Sequence, residues 1–257
     1  MARGFRRIHG NRMEKIEDKI YRLALEEHPE FKEIPVSELK SVIQTALLEI
    51  VELENAADLQ KDLADLTPEV VEKIKALWVF SGPGTYNDVF IADRYKDYSW
   101  TRGMDHDRVA YAEWLYCNIM KINKNDPTVI YNGSDQQNAV LREVVRRGEI
   151  KIPNEKMLII GENIQNTVDQ IRTFILPKSL HKSEHEIGLV SHAPHLMRIA
   201  HTLNHFEIIP KDMTVRLFPI ATVEDGKEEY AISEIKGLLY YIFLGKNAKS
   251  IAYPYII

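Results

Sequence analysis

The chain has 257 residues, of which 45% are hydrophobic and 28% charged, with 12 glycines and 11 prolines. That apolar share excludes a disordered chain, the glycine and proline usage excludes a collagen-like or low-complexity one, and the length fits one large domain or one domain with an extension. Thirty-three basic against 38 acidic residues leave a net charge of -5, without the basic excess of a dedicated nucleic-acid binder, so no nucleic-acid partner is expected. The single cysteine, Cys117, precludes an internal disulfide or a thiolate cluster.

No apolar stretch approaches the roughly 18 residues needed to cross a bilayer, and the N-terminus lacks the apolar core of a secretory signal. No membrane span and a cytoplasmic address are therefore expected. Residues 1–13 hold Arg3, Arg6, Arg7 and Arg12 without an acid, but also without the serine and threonine of an organelle transit peptide.

The first 74 residues read as a helical N-terminal segment. Met13, Ile16, Ile20 and Leu23 recur at spacings of three and four, as do Leu39, Val42, Ile43, Ala46, Leu47, Ile50 and Val51, the pattern of one buried helical stripe. His28-Pro29 breaks the first helix and Ile34-Pro35 precedes the second, because the residue before proline is pushed out of the helical region. Thr67-Pro68-Glu69 then supplies a cap, a proline at the first helical position and an acid in the first turn, opening a short helix to about Lys75.

From residue 75 to 257 the texture changes. Residues 76–81 (ALWVFS) form an apolar run ending in Gly82-Pro83-Gly84, and residues 128–131, 156–160, 186–190 and 213–218 read as further strands. Helical patterns at roughly 105–121, 135–147, 165–176, 194–206 and 229–244 lie between and after them. Strand and helix in alternation predict an α/β domain: a Rossmann-like three-layer sandwich with a mostly parallel five-stranded sheet. Ligands of such sheets bind beyond the carboxyl ends of the strands, so the polar residues after each strand are the functional candidates.

Gly82 and Gly84 of the first loop allow a backbone to approach an anion closely, although a plain turn uses the same residues and neither a GxGxxG nor a P-loop ending is present. Asn132 and Gly133 open the second loop, where Ser134 or Asp135 is also an ordinary helix cap. In the third, Glu162 is either a carboxylate for a ribose hydroxyl or a base, or a surface acid near a helix dipole, and Asn166-Thr167 follow. The fourth loop is the most unusual: six of nine histidines fall between His181 and His205, where even spreading gives about one. Ser191 and His192 close the strand, and His195 and Arg198, one helical turn apart, can clamp a phosphate or carboxylate. His201 and His205 stand at metal-ligand spacing, but no acid lies between them and their helix must bury its apolar face, so no metal is expected. The helix dipole explains Asp105 and Asp107 at the start of the helix after the first loop; it disfavours Arg108 unless that arginine is paired or binds an anion, which makes it a candidate anion contact. Tyr111, Trp114 and Tyr116 at helical spacing are read as core.

Residues 77–245 resemble the YdcF-like domain family, which includes the envelope proteins SanA and ElyC. The resemblance rests on Val190-Ser191-His192-Ala193-Pro194-His195-Leu196-Met197-Arg198, similar to the family's strand-end motif. Asn166-Thr167-Val168-Asp169-Gln170 resembles its NTxEN segment, Gly133 its strand-end glycine, Gly82-Pro83-Gly84 its first glycine loop, and Arg108 its arginine ahead of an AxxL helix. The resemblance implies a Rossmann-like sheet and a small-molecule site, with S-adenosylmethionine among the candidate ligands. Together the motifs lead to the expectation of an anionic small-molecule ligand, nucleotide-like or phosphorylated. In a transferase or phosphoester hydrolase His195 would be the acid or base, Glu162 a second carboxylate and Arg198 the stabiliser of negative charge. The alternative is a non-catalytic sensor acting through the helical segment.

Overall fold

Prolines and caps set the helix boundaries in the computed structural model, which describes residues 5–59, 66–82, 104–123, 126–174, 185–206, 208–210, 213–222 and 226–257. Helix α1 (Phe5–Glu27) stops at His28, a 3₁₀ turn (Pro29–Glu33) follows, and α2 (Val36–Leu59) starts directly after Pro35. Thr67 caps α3 (Pro68–Lys73) by accepting from the Val70 N–H. The chain continues through β1 (Ile74–Phe80), α4 (Met104–Asn123), β2 (Thr128–Asn132), α5 (Asp135–Arg146), β3 (Met157–Ile160), α6 (Thr167–Arg172), β4 (Glu186–His192), α7 (Ala193–Phe206), β5 (Thr214–Ile220) and α8 (Lys227–Leu239). Helix α8 runs on into a π-helical turn (Tyr240–Leu244), in which the Gly245 N–H reaches back five residues to the Tyr240 carbonyl.

All five strands are parallel, in the order β3-β2-β1-β4-β5. Their side chains alternate between two apolar layers, as the two-residue period of a strand requires. Ala76, Trp78, Phe80, Ile130, Ile187, Leu189, Val215 and Leu217 pack with α1, α2, α6, α7 and α8. Leu77, Val79, Val129, Tyr131, Val190 and Phe218 pack with α3, α4 and α5. Ile74 joins the second layer despite its even number because the register shifts between Ile74 and Ala76, and such a bulge reverses the alternation. The result is the three-layer α/β fold that the element pattern predicts.

The N-terminal helices belong to the first of these layers. Ile20, Ala24, Leu39, Ile43, Ala46, Ile50 and Leu53 are buried in one cluster with the sheet and α7, and α2 lies against α7, α8 and β5. Val51, read as part of the buried stripe, is 42% exposed at the edge of that face. Two strands run further than their hydrophobic patterns: β4 and β5 stay paired through Ser191 with Pro219 and His192 with Ile220. Residues 186–192 are buried throughout, so polar Ser191 and His192 continue a strand whose apolar run stops at Val190.

Candidate functional site

The strand order places a topological switch point between β1 and β4. From β1 the chain moves outward to β2 and β3, then returns across β1 to β4 and continues to β5 on the other side. The carboxyl ends of β1 and β4 flank the crevice where open α/β sheets bind ligands. Ser81 and Gly82 follow β1 there, and Ser191 and His192 end β4, with no loop before α7.

Arg108, on the second turn of α4, is fully buried at this point. Its Nε donates to His192 Nδ1 at 3.1 Å, one terminal nitrogen donates to the carbonyls of Phe80 and Ser81, and the other to the Tyr230 hydroxyl at 3.0 Å. All these acceptors are uncharged. Among the described residues no carboxylate lies at hydrogen-bonding distance of this guanidinium, and a charge buried in this way is held at a desolvation cost of several kcal/mol. Gly82 is a necessity of this packing: a Cβ there would lie 2.6 Å from the guanidinium carbon. The Gly82 N–H donates to Asp105 one turn earlier on α4, at 3.2 Å, and the other Asp105 oxygen accepts from the Tyr131 hydroxyl at 2.7 Å. Asp105 thus does more than complement a helix dipole: it fixes the backbone that lies on the arginine.

The two histidines are neutral. Burial, then the Arg108 charge, holds His192 well below the ordinary imidazole range, and its Nδ1 accepts from Arg108, which puts the ring proton on Nε2. His195 is held down by burial and then by Arg108, Arg198 and His192. Its Nε2 bonds the Thr167 hydroxyl at 2.9 Å and its Nδ1 the Ser191 hydroxyl at 3.1 Å. A neutral ring between two hydroxyls forms a chain in which one nitrogen donates and the other accepts.

The next loops are locked to one another. The Asn132 amide donates to the Gln170 carbonyl at 2.6 Å and its oxygen accepts from Trp78 Nε1 at 2.9 Å. The Gln170 amide donates to Ser81 Oγ and to the Asn132 carbonyl. The Gly133 N–H donates to Asn138 Oδ1, whose amide donates to the carbonyls of Ile160 and Gly161. Ser134 and Gln137 close a capping box on α5, and Gln137 also donates to the Gly82 carbonyl at 2.6 Å. Asn166 caps α6 by accepting from Val168 and Asp169. The strand ends therefore form a rigid, preorganised frame in which one loop's amides hold the next loop's carbonyls.

Several candidates lie elsewhere. His195 faces Ser191 and Thr167, whereas Arg198 extends to α8, where it pairs with Glu234 at 2.6 Å. Glu162 is exposed in the loop after the edge strand β3, and Gly84 lies outside the described residues, as does His181. His201 is buried and bonded to Glu49 and to the Lys249 carbonyl, while His205 is exposed. Among the described residues, no group of three or more His, Cys, Asp or Glu is arranged to hold a metal ion. Tyr116 is core; Tyr111 and Trp114 stack on each other, half-buried, beside it. Sequence reasoning passed over Tyr131, Gln137, Gln170 and Tyr230. Gln137 and Gln170 carried a signal, as residues of the polar segments that follow β2 and β3.

No protein-family model matches the chain, and neither a curated protein nor a solved structure matches it.

Proposed function

We propose that the crevice between the ends of β1 and β4 binds an anionic small molecule, nucleotide-like or phosphorylated, with S-adenosylmethionine among the candidates, as in the YdcF-like family that the loop motifs resemble. The observation that carries this reading is the Arg108 guanidinium, buried at the switch point among uncharged acceptors. A charge held there at a desolvation cost is the arrangement expected where a ligand's negative charge completes the balance. Gly82 and Gly133 bring backbone close to the same place, and the network of Asn132, Gln170 and Gln137 holds that backbone still. If a phosphoester is transferred or hydrolysed, His195 is the positioning residue that orients the Ser191 and Thr167 hydroxyls, because its ring is neutral and engaged on both sides.

Calorimetric titration of nucleotides, S-adenosylmethionine and sugar phosphates into wild type and Arg108→Lys tests the site. Lysine keeps the charge but not the hydrogen bonds by which Arg108 holds Phe80, Ser81, His192 and Tyr230, and a loss of about tenfold in affinity is expected. Equal binding by the two proteins would remove Arg108 from the proposed site. An untargeted mass-spectrometric search for copurifying small molecules gives the ligand independently.

One observation favours a second reading, a non-catalytic sensor acting through the helical segment. Glu54 of α2 is buried, accepts from the Thr222 N–H with both oxygens at 3.2 Å, and pairs with Lys227 at 3.0 Å. An N-terminal helix thereby grips both sides of the connection that leaves β5 at the site's end of the sheet. Product from a phosphodiester or pyrophosphate panel supports the enzyme, and stoichiometric binding without product supports the sensor.

A further inference from the structure

We propose that the cleft between the end of α1 and the outer face of α8 is a second ligand site, distinct from the strand-end crevice, for a small organic molecule carrying a carboxylate or phosphate group. The cleft has a volume of about 300 Å³ and is lined by Glu27, His28, Arg198, Ser233, Lys236 and Tyr240, with Gly237 at its floor. That is the lower end of the range for small-molecule sites.

Arg198 supplies the anion contact. Its side chain leaves α7, crosses α8 at Gly237, and is 18% exposed. Three features fix the guanidinium. Glu234, itself buried, approaches its Nε side at 2.6 Å as a close ionic contact without hydrogen-bond alignment. The Tyr241 ring lies 5.4 Å from the guanidinium carbon. A Cβ at position 237 would lie 2.8 Å from one terminal nitrogen, so the passage exists because residue 237 is glycine. Among the described residues the two terminal nitrogens have no acceptor, and neither is shut away from solvent. A guanidinium anchored on one edge and open on the other presents the planar fork that receives a carboxylate or phosphate with two parallel hydrogen bonds.

The remaining lining suits the rest of such a molecule. The rings of His28 and Tyr240 lie 5.0 Å apart at 36°, and Tyr240 is 39% exposed, an aromatic wall for a flat or apolar body. Lys236, bonded to Glu27, adds a second cation, and Ser233 a hydroxyl. An occupant would touch both α1 and α8, joining the N-terminal segment to the sheet domain.

The full chain is titrated calorimetrically with phenyl phosphate, benzoate and phenol, which share a ring and differ in the charged group. Wild type is expected to bind phenyl phosphate or benzoate and not phenol, and whichever of the two binds names the group. Arg198→Lys keeps the Glu234 partner but loses the fork, and Gly237→Ala displaces the guanidinium without removing it. Each is expected to weaken binding about tenfold, with folding checked by circular dichroism. Gly82→Ala, at the other site, is expected to leave this binding unchanged. The proposal is overturned if wild type binds neither anion, if phenol binds as well as they do, if Gly237→Ala and Arg198→Lys bind like wild type, or if Gly82→Ala alone abolishes binding.

Discussion

Arg108 and Arg198 each lie against a glycine whose missing side chain makes room for a guanidinium, and the two seats differ in what surrounds the charge. Arg108 is closed on every side: Gly82 covers it, and His192, two carbonyls and Tyr230 take its hydrogens. Arg198 has a carboxylate on one edge and open space on the other. The first arrangement resists movement and projects a field; the second allows contact and adjustment. A preorganised charge is suited to fixing a ligand's position, and an open fork to exchanging one freely.

The largest expected effect distinguishes the two seats by stability. Arg108→Met orphans four acceptors at about 1 to 3 kcal/mol each and removes a buried charge whose desolvation cost is of similar size to two or three of them. A net loss of about 3 kcal/mol is expected in urea unfolding. Arg198→Lys retains a cation beside Glu234 and is expected to cost below about 1 kcal/mol. A gain in stability in Arg108→Met would mean that the charge is held entirely against folding, which strengthens its functional reading.

The histidines of the closed seat give the next effect. His192 and His195 titrate below 6.5 in the folded protein and near 6.5 unfolded. Below that pH the unfolded chain binds more protons than the native one, so stability is full above about pH 7 and falls as the pH drops through 6.5. Each contributes a slope of roughly 1 kcal/mol per pH unit. Urea midpoints at pH 7.5 and 5.5 check this, and His195→Gln, which cannot take up the proton, is expected to flatten the dependence by about half.

Much of the fold is written in local pattern. Prolines 29, 35 and 68, the apolar runs and the capping residues locate the elements to within a few residues, because caps and strand cores are decided by neighbours in sequence. The order β3-β2-β1-β4-β5 is not written there, because the same alternation of strand and helix fits more than one doubly wound order and the choice is made by packing between residues far apart in the chain. The site is legible only in part. Arg108 stood out because a cation at a helix start needs a reason, and the histidine cluster because of its density. The partners of those residues did not, since Tyr131, Gln137, Gln170 and Tyr230 reach the site across distances of 26 to 122 residues in the chain. The same holds for Arg198: its spacing from His195 suggests a shared clamp, but side chains three apart on a helix diverge once one is drawn to Glu234 across Gly237.

The same substitution at the two glycines gives the finest test of the difference. Gly82→Ala forces a Cβ to within 2.6 Å of the Arg108 guanidinium, which backbone carbonyls and a strand histidine hold in place, so the strain cannot relax. A loss of about 1 to 3 kcal/mol is expected, as for overpacking a well-filled core. Gly237→Ala makes a comparable clash at 2.8 Å, but with the far end of a side chain whose outer edge is open. Alanine in a helix interior is worth up to about 1 kcal/mol over glycine, and this gain offsets the displacement of Arg198. Thermal or urea unfolding of Gly237→Ala is therefore expected to match wild type within about 1 kcal/mol. Equal losses at both positions would mean that Arg198 is held as firmly as Arg108, and that the cleft beside α8 is packing rather than a place for a ligand.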